Sequence, residues 1–114
     1  MKYIRTKDTV FEVVAEDTKV FTVRAKHNRN HLYNKSKIQT DILKQSDTIE
    51  ELCDEFCLLG NDGTKLVYNI SDWLDLKEKI LSNKAWIEIY GAIWTDKGLI
   101  YVAKMNEKGE LELL

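Results

Sequence analysis

Hydrophobic and polar residues in the first part of the chain alternate with the two-residue period of a β-strand. Residues 9–14 and 21–26 are rich in β-branched and aromatic side chains, and the polar segment 15–19 separates them. The second run alternates strictly, so one of its faces is apolar and the other polar. The pattern predicts an antiparallel hairpin within residues 3–26 with one face buried.

The two segments that follow are less regular. Residues 27–37 are polar and follow no period, so they predict a loop, whereas residues 38–44 predict a third strand. Further along, Asn-Asp-Gly at 61–63 is a strong turn signal, and the apolar run 65–68 after it predicts a short strand.

A helix is predicted for residues 48–59, because apolar side chains there recur at the i, i+3, i+4, i+7 spacing. Either Asp47 with Glu50 or Thr48 with Glu51 fits a capping box, and the acidic first turn suits the helix dipole. The predicted buried face contains Ile49, Leu52, Cys53 and Phe56, and the predicted solvated face contains Glu50, Glu51, Asp54 and Glu55.

A second helix is predicted from Ser71 or Asp72 to about Asn83. Its apolar face is broad, and Lys77 falls inside this face, so the Lys77 stem must extend to keep the ammonium group hydrated. The apolar face consists of Trp73, Leu74, Leu76, Ile80 and Leu81.

The C-terminal segment contains two matched turn signals between apolar, β-prone runs. Residues 95–98 and 106–109 each place a glycine where a hairpin turn requires a positive φ. Residues 86–94 have two mostly apolar faces, which is typical of a central strand covered on both sides. The segment 85–114 is therefore predicted to form an antiparallel β-meander.

These elements lack regular βαβ alternation and so predict the α+β class. The predicted architecture is an N-terminal, SH3-like curled antiparallel sheet, two short helices and the C-terminal meander. At 114 residues the chain fits a single domain, residues 1–114, with a core that needs no disulfide or metal.

Composition and charge exclude few function classes. The net charge is -2, and 32% of the residues are charged, which permits acidic or basic partners. No signal peptide and no apolar run of membrane-spanning length is visible, so we expect a cytoplasmic protein with two reduced cysteines and no membrane contact. No nucleotide, phosphate-loop or hydrolase motif is present, and no cofactor is expected.

Two blocks of the sequence carry a family resemblance. They are Lys-Gln-Ser-Asp-Thr-Ile-Glu-Glu-Leu-Cys-Asp-Glu-Phe at 44–56 and the segment 90–114. With these blocks the chain resembles small uncharacterised proteins encoded by phages and prophages of Gram-positive Firmicutes. The resemblance implies the cytoplasm of a bacterial host as the location and an accessory role in the phage, and it transfers no activity or site residue.

Histidine and cysteine pairs suggest one metal hypothesis. Two nitrogen and two thiolate ligands at i, i+4 spacing would suit tetrahedral zinc. The apolar context of Cys53 instead favours a small core side chain, and acidic, apolar surroundings argue against a reactive thiolate. We therefore expect no metal site and no catalytic residue; the ligands of the alternative would be His27, His31, Cys53 and Cys57.

A basic segment supports a second hypothesis, nucleic-acid binding. Residues 24–37 contain no acidic side chain and include an aromatic residue, so they could contact phosphates and stack a base. The acidic pI favours a solvated loop instead. The residues of this alternative are Arg24, Lys26, Arg29, Tyr33, Lys35 and Lys37.

Aromatic content favours protein binding as the function. Three tryptophans and five tyrosines are many for so small a core, and exposed aromatic side chains mark interfaces. We therefore expect a non-enzymatic accessory protein, monomer or homodimer, that binds a host or phage protein. The predicted contact residues are Glu51, Asp54, Glu55, Trp86, Tyr90 and Trp94.

Overall fold

The computed structural model describes residues 2–24, 30–34 and 43–114, which form two antiparallel five-stranded sheets and one α-helix, so the α+β class is confirmed. In chain order the elements are β1 (Lys2–Arg5), β2 (Val10–Glu16), β3 (Val20–Arg24), β4 (Asn30–Asn34), β5 (Lys44–Ser46), a 3₁₀ turn (Glu50–Leu52), β6 (Glu55–Gly60), β7 (Lys65–Asn69), α1 (Ile70–Ser82), β8 (Trp86–Thr95), β9 (Gly98–Met105) and β10 (Leu111–Leu113).

The N-terminal sheet has the order β4-β3-β2-β1-β5. The predicted hairpin is confirmed as β2 and β3, which pair with Val13 opposite Val23. The loop predicted at 27–37 is wrong for residues 30–34, because they form β4 against β3. Residues 38–42 of the predicted third strand lie outside the described residues, and Lys44 begins β5. The pairings do not confirm the SH3-like form of this sheet.

The C-terminal sheet has the order β10-β9-β8-β6-β7 and contains the predicted meander. The hairpin turns form as predicted: Gly98 has φ 103° and Gly109 has φ 79°, conformations that side chains with a Cβ rarely adopt. The strand predicted at 65–68 is confirmed as β7. Strands β6 and β7 extend the meander to five strands.

The helix predicted at 48–59 is wrong. Only residues 50–52 form a 3₁₀ turn, without a side-chain cap, and Cys53 is extended with φ -83° and ψ 148°. The helical spacing coincides with a run, Glu55–Gly60, that also suits a buried strand. As a central strand this run bonds to both β7 and β8, and the two ladders outweigh the local helical preference.

The second predicted helix is confirmed as α1. Asn69 caps it by accepting a 2.8 Å hydrogen bond from the Asp72 backbone N–H. Of the predicted apolar face, Trp73 and Ile80 are buried, but Leu74, Leu76 and Leu81 are exposed, so the predicted face is too broad. Lys77 extends to within 2.8 Å of the Glu50 carboxylate. The lysine inside the apolar face is thus paired at the edge of the core.

The main core lies between the C-terminal sheet, α1 and the 3₁₀ turn. Phe56 and Trp73 stack with ring centroids 4.5 Å apart, and Leu52 and Leu58 are fully buried. Val10 of β2 belongs to the same apolar cluster, so both sheets contribute to one core.

Cys53 and Gly91 make a very close contact in this core. A Cβ atom on Gly91 would lie 2.6 Å from the Cys53 Sγ, closer than packed atoms allow. Burial, with a smaller contribution from the Asp54 charge, raises the pKa of Cys53 to about 12. Cys53 is therefore a protonated core side chain that fits over a glycine.

Candidate protein-binding surface

The C-terminal sheet has two unlike faces. Phe56 of β6 points towards α1, so its neighbours Glu55 and Cys57 point to the opposite side. The register places Val67 and Tyr90 beside Cys57 on that side. We call this side the open face; its apolar and aromatic members are Cys57, Val67, Tyr90, Ala92, Trp94, Leu99 and Tyr101.

Three large side chains of the open face remain about half exposed. The exposed fractions are 58% for Val67, 55% for Trp94 and 48% for Tyr101. They sit on three different strands, β7, β8 and β9, with Cys57 and Tyr90 between them. The exposed apolar surface is therefore spread across the sheet, unlike the scattered apolar residues that most surfaces contain.

Trp94 is held by its neighbours even though its ring is exposed. Its indole Nε1 donates to Glu55 Oε1 at 3.2 Å, and its backbone N–H donates to Asp54 Oδ2 at 2.9 Å. The Trp94 carbonyl accepts a 3.5 Å hydrogen bond from Arg5. A side chain held in this way loses little conformational freedom when a partner covers it.

Arg5 and Asp54 form the junction that supports Trp94. The Arg5 guanidinium bonds the Asp54 carboxylate through both Nη atoms at 2.6 and 2.7 Å, and it also donates to the Leu52 carbonyl at 3.4 Å. Burial alone would raise the pKa of Asp54, but the hydrogen bonds from Arg5 and Trp94 together with the Arg5 charge lower it. The pair joins β1 of the N-terminal sheet to the end of β8.

Tyr90 and Tyr101 form the centre of the open face. Their rings stack with centroids 4.7 Å apart, and Lys104 Nζ lies 5.6 Å from the Tyr90 centroid. The Tyr90 hydroxyl donates to Glu88 Oε2 at 3.0 Å, and Glu88 pairs with Lys104 at 3.5 Å. An aromatic centre bordered by charged groups resembles the arrangement of a protein interface.

The cysteine of the open face, Cys57, is buried. Burial raises the pKa of the Cys57 thiol, and the nearby Tyr101 hydroxyl opposes this shift only in part. A thiol must lose its proton to attack a substrate or bind a metal, so Cys57 contributes packing here.

The structure separates the residues predicted from sequence to bind protein. Asp54, Glu55, Tyr90 and Trp94 come together at the open face or its edge, although Asp54 is mainly a structural partner of Arg5. The Glu51 carboxylate instead accepts a hydrogen bond from Ser46. Trp86 packs against the main core and is half-buried.

The two alternative sites are only partly described. Arg24 is exposed at the end of β3, and the backbone of Tyr33 in β4 pairs with that of Phe21 in β3. The other residues of the nucleic-acid alternative lie outside the described residues: Lys26, Arg29, Lys35 and Lys37. For the metal alternative, His27 is also outside, and His31 lies in β4. Cys53 and Cys57 lie on opposite sides of the C-terminal sheet.

Two clefts of about 430 and 500 Å³ lie beside the turn between β9 and β10. Ile87 and Met105 line both clefts, and the remaining polar contacts include Asn106 and Glu107 of the exposed turn. Small-molecule sites usually combine an apolar pocket with polar groups held by rigid elements. Because much of the polar lining belongs to the turn at 106–109, we assign no ligand to these clefts.

Val67, Tyr101 and Arg5 are the contributors that sequence reasoning missed. The alternation within 65–68 and 98–105 could have shown that Val67 and Tyr101 each lie on one face of a strand, but only the register shows that the faces coincide. Arg5 has no signal in the sequence, because its partners are 47 to 89 residues away.

Comparisons of the chain with protein-family models, with curated proteins and with solved structures give no match. Among the helices of the described part, none combines the length and apolar character required to cross a membrane.

Proposed function

We propose that the protein is a non-enzymatic binding module that receives a protein partner on the open face. The observation that supports this proposal most strongly is the half-exposed surface of Val67, Trp94 and Tyr101 on three strands of one sheet. Tryptophan and tyrosine are the side chains that most often dominate binding energy at interfaces. A rigid sheet that presents them fits a docking surface better than a catalytic site.

The charged groups around the aromatic centre add specificity to the proposed interface. Glu55 and Glu88 contribute carboxylates beside Trp94 and Tyr90, and Lys104 contributes one cation. Mixed charges at the rim of an interface select partners and steer association more than they add affinity. A partner with an apolar centre and basic groups at its rim would fit this arrangement.

The biological context of the proposal comes from the family resemblance. Two sequence blocks, 44–56 and 90–114, support an accessory role in a phage or prophage of Gram-positive Firmicutes, in the cytoplasm of the host. The partner is then a host or phage protein. An SH3-like curl of the N-terminal sheet stays part of this proposal, and the open face does not depend on it.

We predict that Trp94→Ala and Tyr101→Ala each weaken the partner complex by about tenfold or more, because each removes a half-exposed aromatic contact. The partner is first isolated from host lysate and identified by mass spectrometry. The dissociation constant of each variant is then measured by calorimetry with the purified partner. Thermal melts of both variants check that the fold is retained.

Ile87→Ala is the matched control, because Ile87 is 63% exposed and lines a cleft with Ile80 and Leu81 of α1, away from the open face. It should change the dissociation constant by less than about twofold. Equal effects of Ile87→Ala and Trp94→Ala would contradict the assignment of the open face. Salt-sensitive binding of RNA or DNA that disappears in the triple variant of Arg24, Lys26 and Arg29 to Ala would favour the nucleic-acid alternative.

A further inference from the structure

Strand β7 is an edge strand with free backbone groups. Within the described residues its only strand neighbour is β6. Two hydrogen bonds, from Gly60 N–H to the Thr64 carbonyl and from Ile70 N–H to the Asp54 carbonyl, show which residues of β7 bond to β6, because every second residue of an antiparallel strand bonds to a given neighbour. The inward-bonding residues are therefore Leu66 and Tyr68, and the backbone groups of Lys65, Val67 and Asn69 point away from the sheet.

This edge lacks most of the features that prevent strand pairing. Proteins protect edge strands with proline, bulges or several charged side chains. The chain contains no proline, and β7 pairs with β6 without a bulge. The only charged residue on β7 is Lys65, at its beginning, while Leu66 and Val67 are both exposed. The edge can therefore accept another strand.

The sequence of β7 is complementary to itself when it is read in the opposite direction. In an antiparallel pair centred on Val67, each Val67 lies opposite its own copy, Lys65 lies opposite Asn69, and Leu66 lies opposite Tyr68. No like charges meet, and an aliphatic side chain faces an aromatic one, which is a favourable cross-strand pair. These pairings are compatible with an interface between two identical chains.

We propose that the chain forms a homodimer in which β7 pairs with β7 of a second copy. The Val67 N–H and carbonyl groups of each copy bond to each other across the two-fold axis. The Asn69 N–H donates to the Lys65 carbonyl of the second copy, and the reciprocal bond forms by symmetry. The Asn69 carbonyl stays within α1, where it belongs to the first helical turn.

Helix α1 provides apolar area beside the paired strands. Helix α1 packs over β6 and β7, on the face of the sheet opposite the open face. The two-fold axis therefore places the α1 helices of both copies on the same face of the joined sheet. Leu74 and Leu76 are exposed on opposite flanks of the buried stripe of α1. Whichever flank lies nearer to the two-fold axis, it therefore presents a leucine side chain there. A pair of strands alone would bury less area than stable dimers require.

The homodimer goes beyond the proposed function, because it places two open faces on the same side of one ten-stranded sheet. The Val67 side chains meet at the centre, while Trp94 and Tyr101 stay uncovered in each copy. A partner with two binding segments could then occupy both faces, and its affinity would rise through effective concentration.

Charge changes at Val67 test the dimer directly. Val67→Lys and Val67→Glu each place like charges opposite each other on the two-fold axis and remove the Val67 contact. We expect each variant to raise the dissociation constant of the dimer by about tenfold or more. An equimolar mixture should recover dimers, because the introduced ammonium group of one copy then meets the introduced carboxylate of the other. Analytical ultracentrifugation over a range of protein concentrations measures all three samples.

Recovery in the mixture shows that position 67 of one copy meets position 67 of the other, as it does when the axis passes through β7. Ile87→Lys is the control, since Ile87 is 63% exposed on β8, and it should leave the dimer unchanged. Circular dichroism melts check that the Val67 variants are folded. The proposal is overturned by a monomeric wild-type chain, by an unchanged dimer in Val67→Lys, or by a mixture that associates no better than either variant. None of these results depends on the partner of the open face.

Discussion

Asp54→Ala is expected to lower the free energy of unfolding by about 2–3 kcal/mol. The substitution leaves the Arg5 guanidinium in a largely buried position without its carboxylate, and it removes the acceptor of the Trp94 backbone N–H. Urea denaturation followed by tryptophan fluorescence measures the change. Because an unpaired Arg5 accounts for much of this cost, Arg5→Ala combined with Asp54→Ala should cost less than the sum of the single changes. Additive costs would contradict a direct coupling between the two residues.

The same ion pair predicts a specific pH dependence. The folded structure lowers the pKa of Asp54, so the unfolded chain binds the proton more tightly. The stabilisation is therefore fully present above the unfolded pKa of about 3.9 and is lost as the pH falls through the lower folded pKa.

Asp54→Asn is the matched variant for this pH dependence, because it keeps the shape and removes the charge. The difference in unfolding free energy between the wild-type chain and Asp54→Asn should shrink as the pH falls below about 4. Urea titrations from neutral to acidic pH measure this difference. A difference that stays constant over the whole range would exclude the carboxylate charge as the cause.

Gly91→Ala is expected to lower the free energy of unfolding by about 2 kcal/mol, because the new methyl group overlaps the Cys53 Sγ. Both positions are buried at the core side of the C-terminal sheet, where the backbone has little room to move. Cys53→Ala removes the sulfur and should recover more than half of the loss when it is combined with Gly91→Ala. Thermal and urea denaturation of the four chains in this cycle measure the coupling.

Gly60→Ala provides the control for the Gly91 prediction. Its Cβ would lie 2.9 Å from Asp62 Oδ1, the end of an exposed side chain that can move away if it gives up its hydrogen bond from the Thr64 backbone N–H. We expect a loss below about 1 kcal/mol, since a flexible neighbour relieves the overlap. If Gly60→Ala and Gly91→Ala cost the same, or if Cys53→Ala gives no recovery, the contact with Cys53 is not the cause.

The elements that are predicted correctly have strong local sequence signals, and contacts with residues far away in the sequence do not override those signals. Gly98 and Gly109 adopt the positive φ angles that their turns require, and the helix that follows the Asn69 cap buries Trp73 and Ile80 of its predicted apolar face. The segment 48–59 fails because its apolar spacing fits a helix and a buried strand equally well. Pairing of Glu55–Gly60 with β7 and β8 decides the outcome, and local patterns contain no information about that pairing.

The candidate surface was predictable only where the aromatic residue lies on a strand with a clear alternation. Trp94 and Tyr90 come from β8 and share the open face as the alternation predicts, whereas Trp86 begins the strand next to a register shift and packs on the core. The stacking of Tyr90 on Tyr101 depends on the register between β8 and β9, which includes another shift at Gly91 and Ala92. Bulges of this kind change which side chains share a face, and they have no reliable sequence signal.

The contacts of Arg5 also bear on when the two sheets can join during synthesis on the ribosome. Its hydrogen-bond partners follow it in the chain by 47 to 89 positions. Strand β1 leaves the ribosome early, but the Trp94 carbonyl exists only after most of the chain has been translated. Contacts of such long sequence separation form late and slow folding. We therefore expect the Arg5 guanidinium to stay hydrated in the nascent chain until Asp54 has emerged, and the contact with Trp94 to complete the junction only after β8 has followed.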